Sequence, residues 1–341
     1  MAPVRLRRSD LSRPGYTRRR SGSGFRFLDV DGSSLTDRDE VARVKALVIP
    51  PAWRDVWISP YPNGHIQAVG TDDAGRRQYR YHDVWRQKRD AEKHDRVLEV
   101  ARRLPKLRQT VERHLAHRTL DRERVLAAGV RLLELGLFRI GGEVYAAENG
   151  SFGLTTIRKK HVRLHRGTIH FQFPAKSGVQ RTIEVRDDAV RRVVMSLRRH
   201  QDDEDDLLAY RSGGRWYDVK SEDVNDYLRD NAGVTLTAKD FRTWHATVLM
   251  AVELALAGDP PESGRARRKV VRSAVEGVAE YLGNTPAVAR ASYVDPRIVT
   301  AYENGRSIRP TLDRLGSADA GRLTALPAVE RAVLRVLTPG R

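Results

Sequence analysis

The segment LGNTPAVARASYV (282–294) decides what kind of domain the second half of this chain forms. Its Gly-Asn-Thr-Pro run starts a helix, with Asn284 as a candidate cap and Pro286 in the first turn. A short run of small residues leads to Tyr293. Read outward, both flanks are helical. ARRKVVRSAVEGVAEYL (266–282) precedes the segment, and AKDFRTWHATVLMAVELAL (238–256) precedes that. Both repeat apolar residues at spacings of three and four. Tyr293 therefore ends a helical domain, as a core aromatic with a polar tip or as a nucleophile.

Further upstream, KSEDVNDYLRD (220–230) and DDAVRRVVMSLRRH (187–200) are also helical patterns. QDDEDD (201–206) reads as a solvated acidic loop. A strand cluster interrupts the helices: FGLTTI, HVRLH, TIHFQF and QRTIEV, with turns at HRG and AKSG. Charged helical stretches are expected over 84–104 and 107–135. Residues 25–84 differ, because bulky and polar residues alternate there between Pro, Gly, Asn and Asp turns. One helix, DRDEVARVKAL (37–47), stops at IPPAW, where two prolines break it. DVDG (29–32) lacks the later ligands of a calcium loop and reads as a turn. Residues 1–24 read as a mobile basic arm, and 308–341 as a tail with one helix around AVERAVLRVL. The expected fold class is α+β: a β-rich N-terminal lobe, 25–84, and a mostly helical domain with an inserted sheet, 85–307.

The 341 residues carry a net charge of +18 and no cysteine. The charge favours a polyanion, nucleic acid first. The missing cysteine excludes disulfides and thiolate chemistry and fits a cytoplasmic protein. No apolar run approaches the roughly 20 residues that cross a membrane. MAPVRLRRSD is not followed by the apolar core of a secretory signal. There is no Walker A loop, no His-Glu-x-x-His and no paired aspartates for magnesium. No metal site and no nucleotide or other cofactor is expected, so chemistry on a nucleic acid would run on side chains alone.

Cutting a phosphodiester that way needs a nucleophile, cations for the non-bridging oxygens, and an acid for the departing oxygen. Arginine suits the oxygens through its fixed fork. Lysine suits the acid, since a cationic site lowers its pKa. Arg139, in LFRIGGE, precedes two glycines that let backbone approach closely; it also fits a helix C-terminus. Arg242, near the start of an apolar helix, opposes the helix dipole, which suits an anion site. His245 follows one turn later as a core or supporting residue. Lys159, Lys160 and Lys176 all remain candidates for the acid, with Lys176 at a hairpin tip.

Taken in order, LFRIGGEVY, FGLTTIRKKHV, FPAKSG, KDFRTWHATV and LGNTPAVARASYV resemble the small type IB DNA topoisomerases of the poxvirus and bacterial type. The resemblance covers about residues 25–305. It implies that Tyr293 forms a 3′-phosphotyrosyl link with DNA, that Arg139 and Arg242 bind the scissile phosphate, and that Lys176 protonates the 5′-oxygen. Asn284 stands where many members carry histidine; it can donate a hydrogen bond but brings no charge. GRRQYRYH (75–82) resembles the family's major-groove strand, which implies DNA contacts from Arg76, Arg77, Gln78, Tyr79 and Tyr81, and from Tyr145. The resemblance also implies a monomer whose two lobes form a C-shaped clamp on double-stranded DNA, relaxing positive and negative supercoils without ATP or metal.

Two rivals bracket that reading. A tyrosine recombinase shares the chemistry, but its second arginine usually follows a histidine by three residues; here Lys239 stands three before Arg242, and the N-terminal lobe is strand-rich. A non-catalytic basic DNA-binding protein would need the charge without the ordered set of Arg139, Lys176, Arg242 and Tyr293.

Overall fold

Strands built from alternating residues need a partner on each side, and the N-terminal part supplies five. In the computed structural model, which describes residues 4–136, 138–199, 206–316 and 326–338, the chain divides into two compact units, Met1–His94 and Asp95–Arg341. The first unit holds strands β1 (Tyr16–Ser21), β2 (Gly24–Leu28), β3 (Arg54–Ile58), β4 (Ile66–Thr71) and β5 (Arg77–Tyr81) in one antiparallel sheet, ordered β2-β1-β3-β4-β5. Helix α1 (Arg38–Ala46) begins where the sequence sets it: the Asp37 carboxylate accepts from the backbone N–H of Asp39 and Glu40. Its Val44 joins Tyr16, Val56, Ile58 and Ala68 in a small core.

The basic arm expected over 1–24 is corrected here. Tyr16–Ser21 is a sheet strand, paired with β2 on one side and β3 on the other. Arg7 exchanges backbone bonds with Asn63 and His65, at 2.9 Å each. The arginines hid the strand because exposed strand positions accept cations, while the buried ring of Tyr16 anchors it. Arg18 also turns inward along the chain and donates to the carbonyls of Ile49, Pro50 and Trp53.

Helix α2 (Asp83–Leu115) runs through Pro105, and the unit boundary falls within it. Two helices meeting near that proline were expected. Burial of Leu104 and Leu107 on either side offsets the lost hydrogen bond. The break comes instead at residues 116–121, where the Asp121 carboxylate receives the Arg124 N–H at 2.9 Å and opens α3 (Arg122–Gly136).

The second unit continues with α4 (Glu143–Asn149) and the sheet β6 (Val162–His165), β7 (Thr168–Pro174) and β8 (Gln180–Val185). FGLTTI is not a fourth strand there: Leu154–Thr156 form a single 3-10 turn. Helix α5 (Asp188–Arg199) follows, then a hairpin the sequence reading did not single out, β9 (Ala209–Ser212) and β10 (Arg215–Asp218), turning on Gly213 and Gly214. Of the acidic loop, 201–205 lie outside the described residues. Helices α6 (Ser221–Ala232), α7 (Ala238–Leu256), α8 (Gly264–Leu282), α9 (Pro286–Ser292) and α10 (Pro296–Glu303) complete the unit, with α11 (Arg309–Leu315) and α12 (Pro327–Leu337) after them.

The core centres on α7, which is apolar almost all round and buried along most of its length. The expected tail is part of this core. Val329 and Val333 of α12 are fully buried, and Glu330 receives bonds from Arg108 of α2, at 2.6 and 2.9 Å, and from the Trp244 indole of α7, at 2.9 Å. Arg108 also bonds Glu134 of α3. Burial alone would discharge Arg108, but the two carboxylates hold it charged, with its pKa above the ordinary value.

Candidate active site

Four elements bring cationic side chains to one place, and glycines permit the approach. Arg139 follows α3. Its carbonyl accepts from the N–H of Leu154 at 2.8 Å, and that of Ile140 from Thr155 at 2.9 Å. This pairing presses Gly141, at φ 92°, against Gly153, where an added Cβ would lie 2.5 Å from the Gly141 Cα. The close approach expected after Arg139 is therefore met by a second glycine, from the FGLTTI segment.

Arg242 lies in the second turn of α7. The helix opens at Thr237, whose N–H and hydroxyl both bond the Asp240 carboxylate, at 3.0 and 2.8 Å. Arg242 is only 4% exposed, and its Nη2 donates to the carbonyl of Leu282 at 2.9 Å. Burial, together with the charges of Arg139 and Arg181, pushes its pKa down to about 10, opposed by the nearby Tyr293 hydroxyl. It stays cationic at neutral pH. His245, one turn on, is fully buried and held neutral by burial, its pKa lowered despite Glu134 and Glu330.

The C-terminus of α8 is where these arginines meet. Gly283 adopts φ 62° as the left-handed cap. Arg139 Nη2 donates to the Gly283 carbonyl at 3.2 Å and to Asn284 Oδ1 at 2.6 Å. The Asn284 amide nitrogen, Nδ2, is buried without a hydrogen-bond partner among the described residues. Asn284 is not the cap of α9, as the sequence suggested. Thr285 takes that role, its hydroxyl receiving the Val288 N–H at 3.3 Å, and this leaves the Asn284 Oδ1 to Arg139.

Tyr293 terminates α9 half-buried, with the Arg242 guanidinium carbon 5.4 Å from its ring centroid. Thr247 of α7 ties the chain there: its hydroxyl proton lies between the carbonyls of Thr243, at 3.0 Å, and Tyr293, at 3.3 Å, and its oxygen accepts the Asp295 N–H at 3.1 Å. Lys176 is exposed at the tip between β7 and β8. A cleft of about 30 Å³ is lined by Arg139, Lys176, Arg181 and Arg242 among apolar residues including Phe138, Phe152 and Phe173, with no carboxylate in the lining among the described residues. Of the three lysines that the sequence left level, Lys176 is among its lining residues and Lys159 and Lys160 are not.

Sequence reading missed Arg181 and Thr247. Arg181 belongs to QRTIEV and pairs with Phe173 across the hairpin, so an argument from strand register could have found it. Nothing marked Thr247, since its role is backbone attachment to a distant segment.

In the first unit, β5 is an edge strand whose alternation divides the predicted DNA-contact residues. Arg77, Tyr79 and Tyr81 share one exposed face; the two tyrosine rings stack 5.9 Å apart, with the Arg77 guanidinium 5.9 Å from the Tyr79 ring. Gln78 lies on the other face and donates to Asp72 at 2.9 Å. Arg76 also pairs with Asp72, at 3.0 Å. The Tyr145 side chain lies outside the described residues.

Comparison with known proteins gives two family matches. Residues 82–308 match the family described as eukaryotic DNA topoisomerase I, catalytic core, and residues 24–72 match the bacterial DNA topoisomerase IB N-terminal domain. The chain is 31% identical over 297 residues to DNA topoisomerase 1B of Acanthamoeba polyphaga mimivirus, covering 85% of this chain and 88% of the relative. It is 22% identical over 233 residues to DNA topoisomerase I of monkeypox virus, covering 68% and 70%.

Proposed function

From the premise that this chain belongs to the type IB DNA topoisomerases, enzymes that nick one DNA strand through a tyrosine and reseal it to relax supercoils, we propose that Tyr293 is the nucleophile and that Arg139, Lys176, Arg242 and Asn284 serve the scissile phosphate. The observation that carries this reading is the convergence of cations without a carboxylate on one cleft, with Arg242 over the Tyr293 ring.

The Tyr293 oxygen attacks phosphorus as its proton leaves to solvent. A bond from tyrosine to phosphorus forms, the bond to the 5′-oxygen breaks, and Lys176 protonates that oxygen. Arg139 and Arg242 neutralise the charge that builds on the non-bridging oxygens. Asn284 adds a neutral donor: Arg139 occupies its Oδ1, and Nδ2 is left for a phosphate oxygen. Resealing reverses the steps. One phosphodiester is exchanged for another, so rotation of the cut strand draws on stored torsion and needs no ATP. In the first unit, the face of Arg77, Tyr79 and Tyr81 suits duplex DNA, with arginine on phosphates and tyrosines toward base edges. A monomer suffices, because every proposed catalytic group comes from one chain.

The test is relaxation of a supercoiled plasmid in EDTA without ATP, wild type beside Tyr293→Phe. Relaxation by wild type alone is expected, together with a covalent protein–DNA adduct trapped by denaturant. Relaxation by the phenylalanine variant would overturn the assignment of Tyr293.

A further inference from the structure

The end of α8 receives three guanidinium groups on four successive carbonyls. Arg181 donates to Glu280 at 3.3 Å and to Tyr281 at 2.7 Å; Arg242 donates to Leu282 at 2.9 Å; Arg139 donates to Gly283 at 3.2 Å. These carbonyls carry the negative end of the helix dipole, and that of Glu280 also accepts the Gly283 N–H of the cap at 3.0 Å. Roles are proposed above for Arg139 and Arg242. Arg181 has none.

We infer that Arg181 is a positioning residue, which registers the Lys176 hairpin against Asn284. This rests on the roles proposed for those two residues. Arg181 stands on β8, five residues after Lys176, so its bonds to α8 join the hairpin that carries the acid to the helix end that carries the amide donor. Its fork is spent on carbonyls, with Nη1 and Nη2 each engaged. It also packs flat on Gly283, where an added Cβ would lie 2.8 Å from Nη1 and 3.0 Å from Cζ. Glycine at 283 suits the left-handed turn, and an added Cβ there would push the Arg181 guanidinium from its place. Arg139 grips the same turn from the other side, through Gly283 and Asn284. Clamped between two arginines, the Asn284 amide is held at a fixed place relative to both Arg139 and Lys176. A donor so placed needs no reorganisation when charge develops on phosphate.

The experiment measures plasmid relaxation at enzyme excess and duplex affinity for wild type, Arg181→Ala, Arg181→Lys, Asn284→Ala and the double variant Arg181→Ala/Asn284→Ala. Misplacing a catalytic donor costs up to about 100-fold. Arg181→Ala should relax DNA about 10–100-fold more slowly, with affinity changed by less than about twofold, the ordinary limit of additivity. Arg181→Lys keeps the charge without the fork and should be nearly as slow. If Arg181 acts through Asn284, its removal should cost about twofold or less once Asn284 is alanine. Three results would overturn the inference: wild-type rate in Arg181→Ala, full recovery in Arg181→Lys, or the same loss in the Asn284→Ala background as in wild type. Should Arg181→Ala not fold, Arg181→Lys carries the first two comparisons and its own double variant the third. A wild type that forms no adduct would instead overturn the catalytic roles themselves, which separates the two failures.

Discussion

Asn284 is proposed to serve the phosphate as a neutral donor, and Arg139 sets its orientation. Arg139 takes the Oδ1 at 2.6 Å, which orients the amide and leaves Nδ2 buried without a partner. A buried donor with no acceptor costs about 1–3 kcal/mol, and a phosphate oxygen would remove that cost on binding. Removing one donor from such a site costs about 10²–10³ in rate. Asn284→Ala should therefore slow relaxation, toward the lower end because the donor is uncharged. Single-turnover relaxation checks this, and a loss below about threefold would mean that the amide does not meet the phosphate in the transition state.

Among the elements, α12 shows how a segment outside the catalytic set supports it. Glu330 accepts both outer nitrogens of Arg108 and the Trp244 indole, and Trp244 lies two residues beyond Arg242 on α7. Removing one partner of a buried pair strands the other charge, at about 3–5 kcal/mol. Glu330→Ala should lower unfolding stability by that order in urea titrations, although the residue has no place in the chemistry. Unchanged stability would show that Arg108 is satisfied by Glu134 alone.

Over the whole molecule the net charge of +18 decides the dominant force on DNA. Each phosphate neutralised releases counterions, so the logarithm of affinity falls linearly with the logarithm of salt. With roughly 6–10 phosphates contacted, affinity for duplex DNA should fall about 10³–10⁵ between 50 and 200 mM salt. Titration of a labelled duplex at several salt concentrations gives the slope; a flat response would mean that the charge is not used on phosphate backbone. Tyr293→Phe should keep the same slope, since it removes the proposed nucleophile and no cation.

Much of this protein was legible in order along the chain. Helical periodicity, the strand cluster and the turn at AKSG are local properties, set by side-chain spacing and by residues that favour turns. The succession from LFRIGGE to the Tyr293 segment carried the catalytic candidates because motif order survives without coordinates. Local spacing could not reveal partners far apart in sequence. It could not show that arginine-rich Tyr16–Ser21 is a sheet strand, because sheet pairing depends on β2 and β3. It could not show which of Lys159, Lys160 and Lys176 lines the cleft, or that Gly153 lies against Gly141. Nor could it find Thr247, whose contact lies 46 residues away, or show that Arg181 bonds a helix end 100 residues on. Those choices belong to the tertiary structure, because burial and hydrogen-bond satisfaction are settled only when distant segments are packed together.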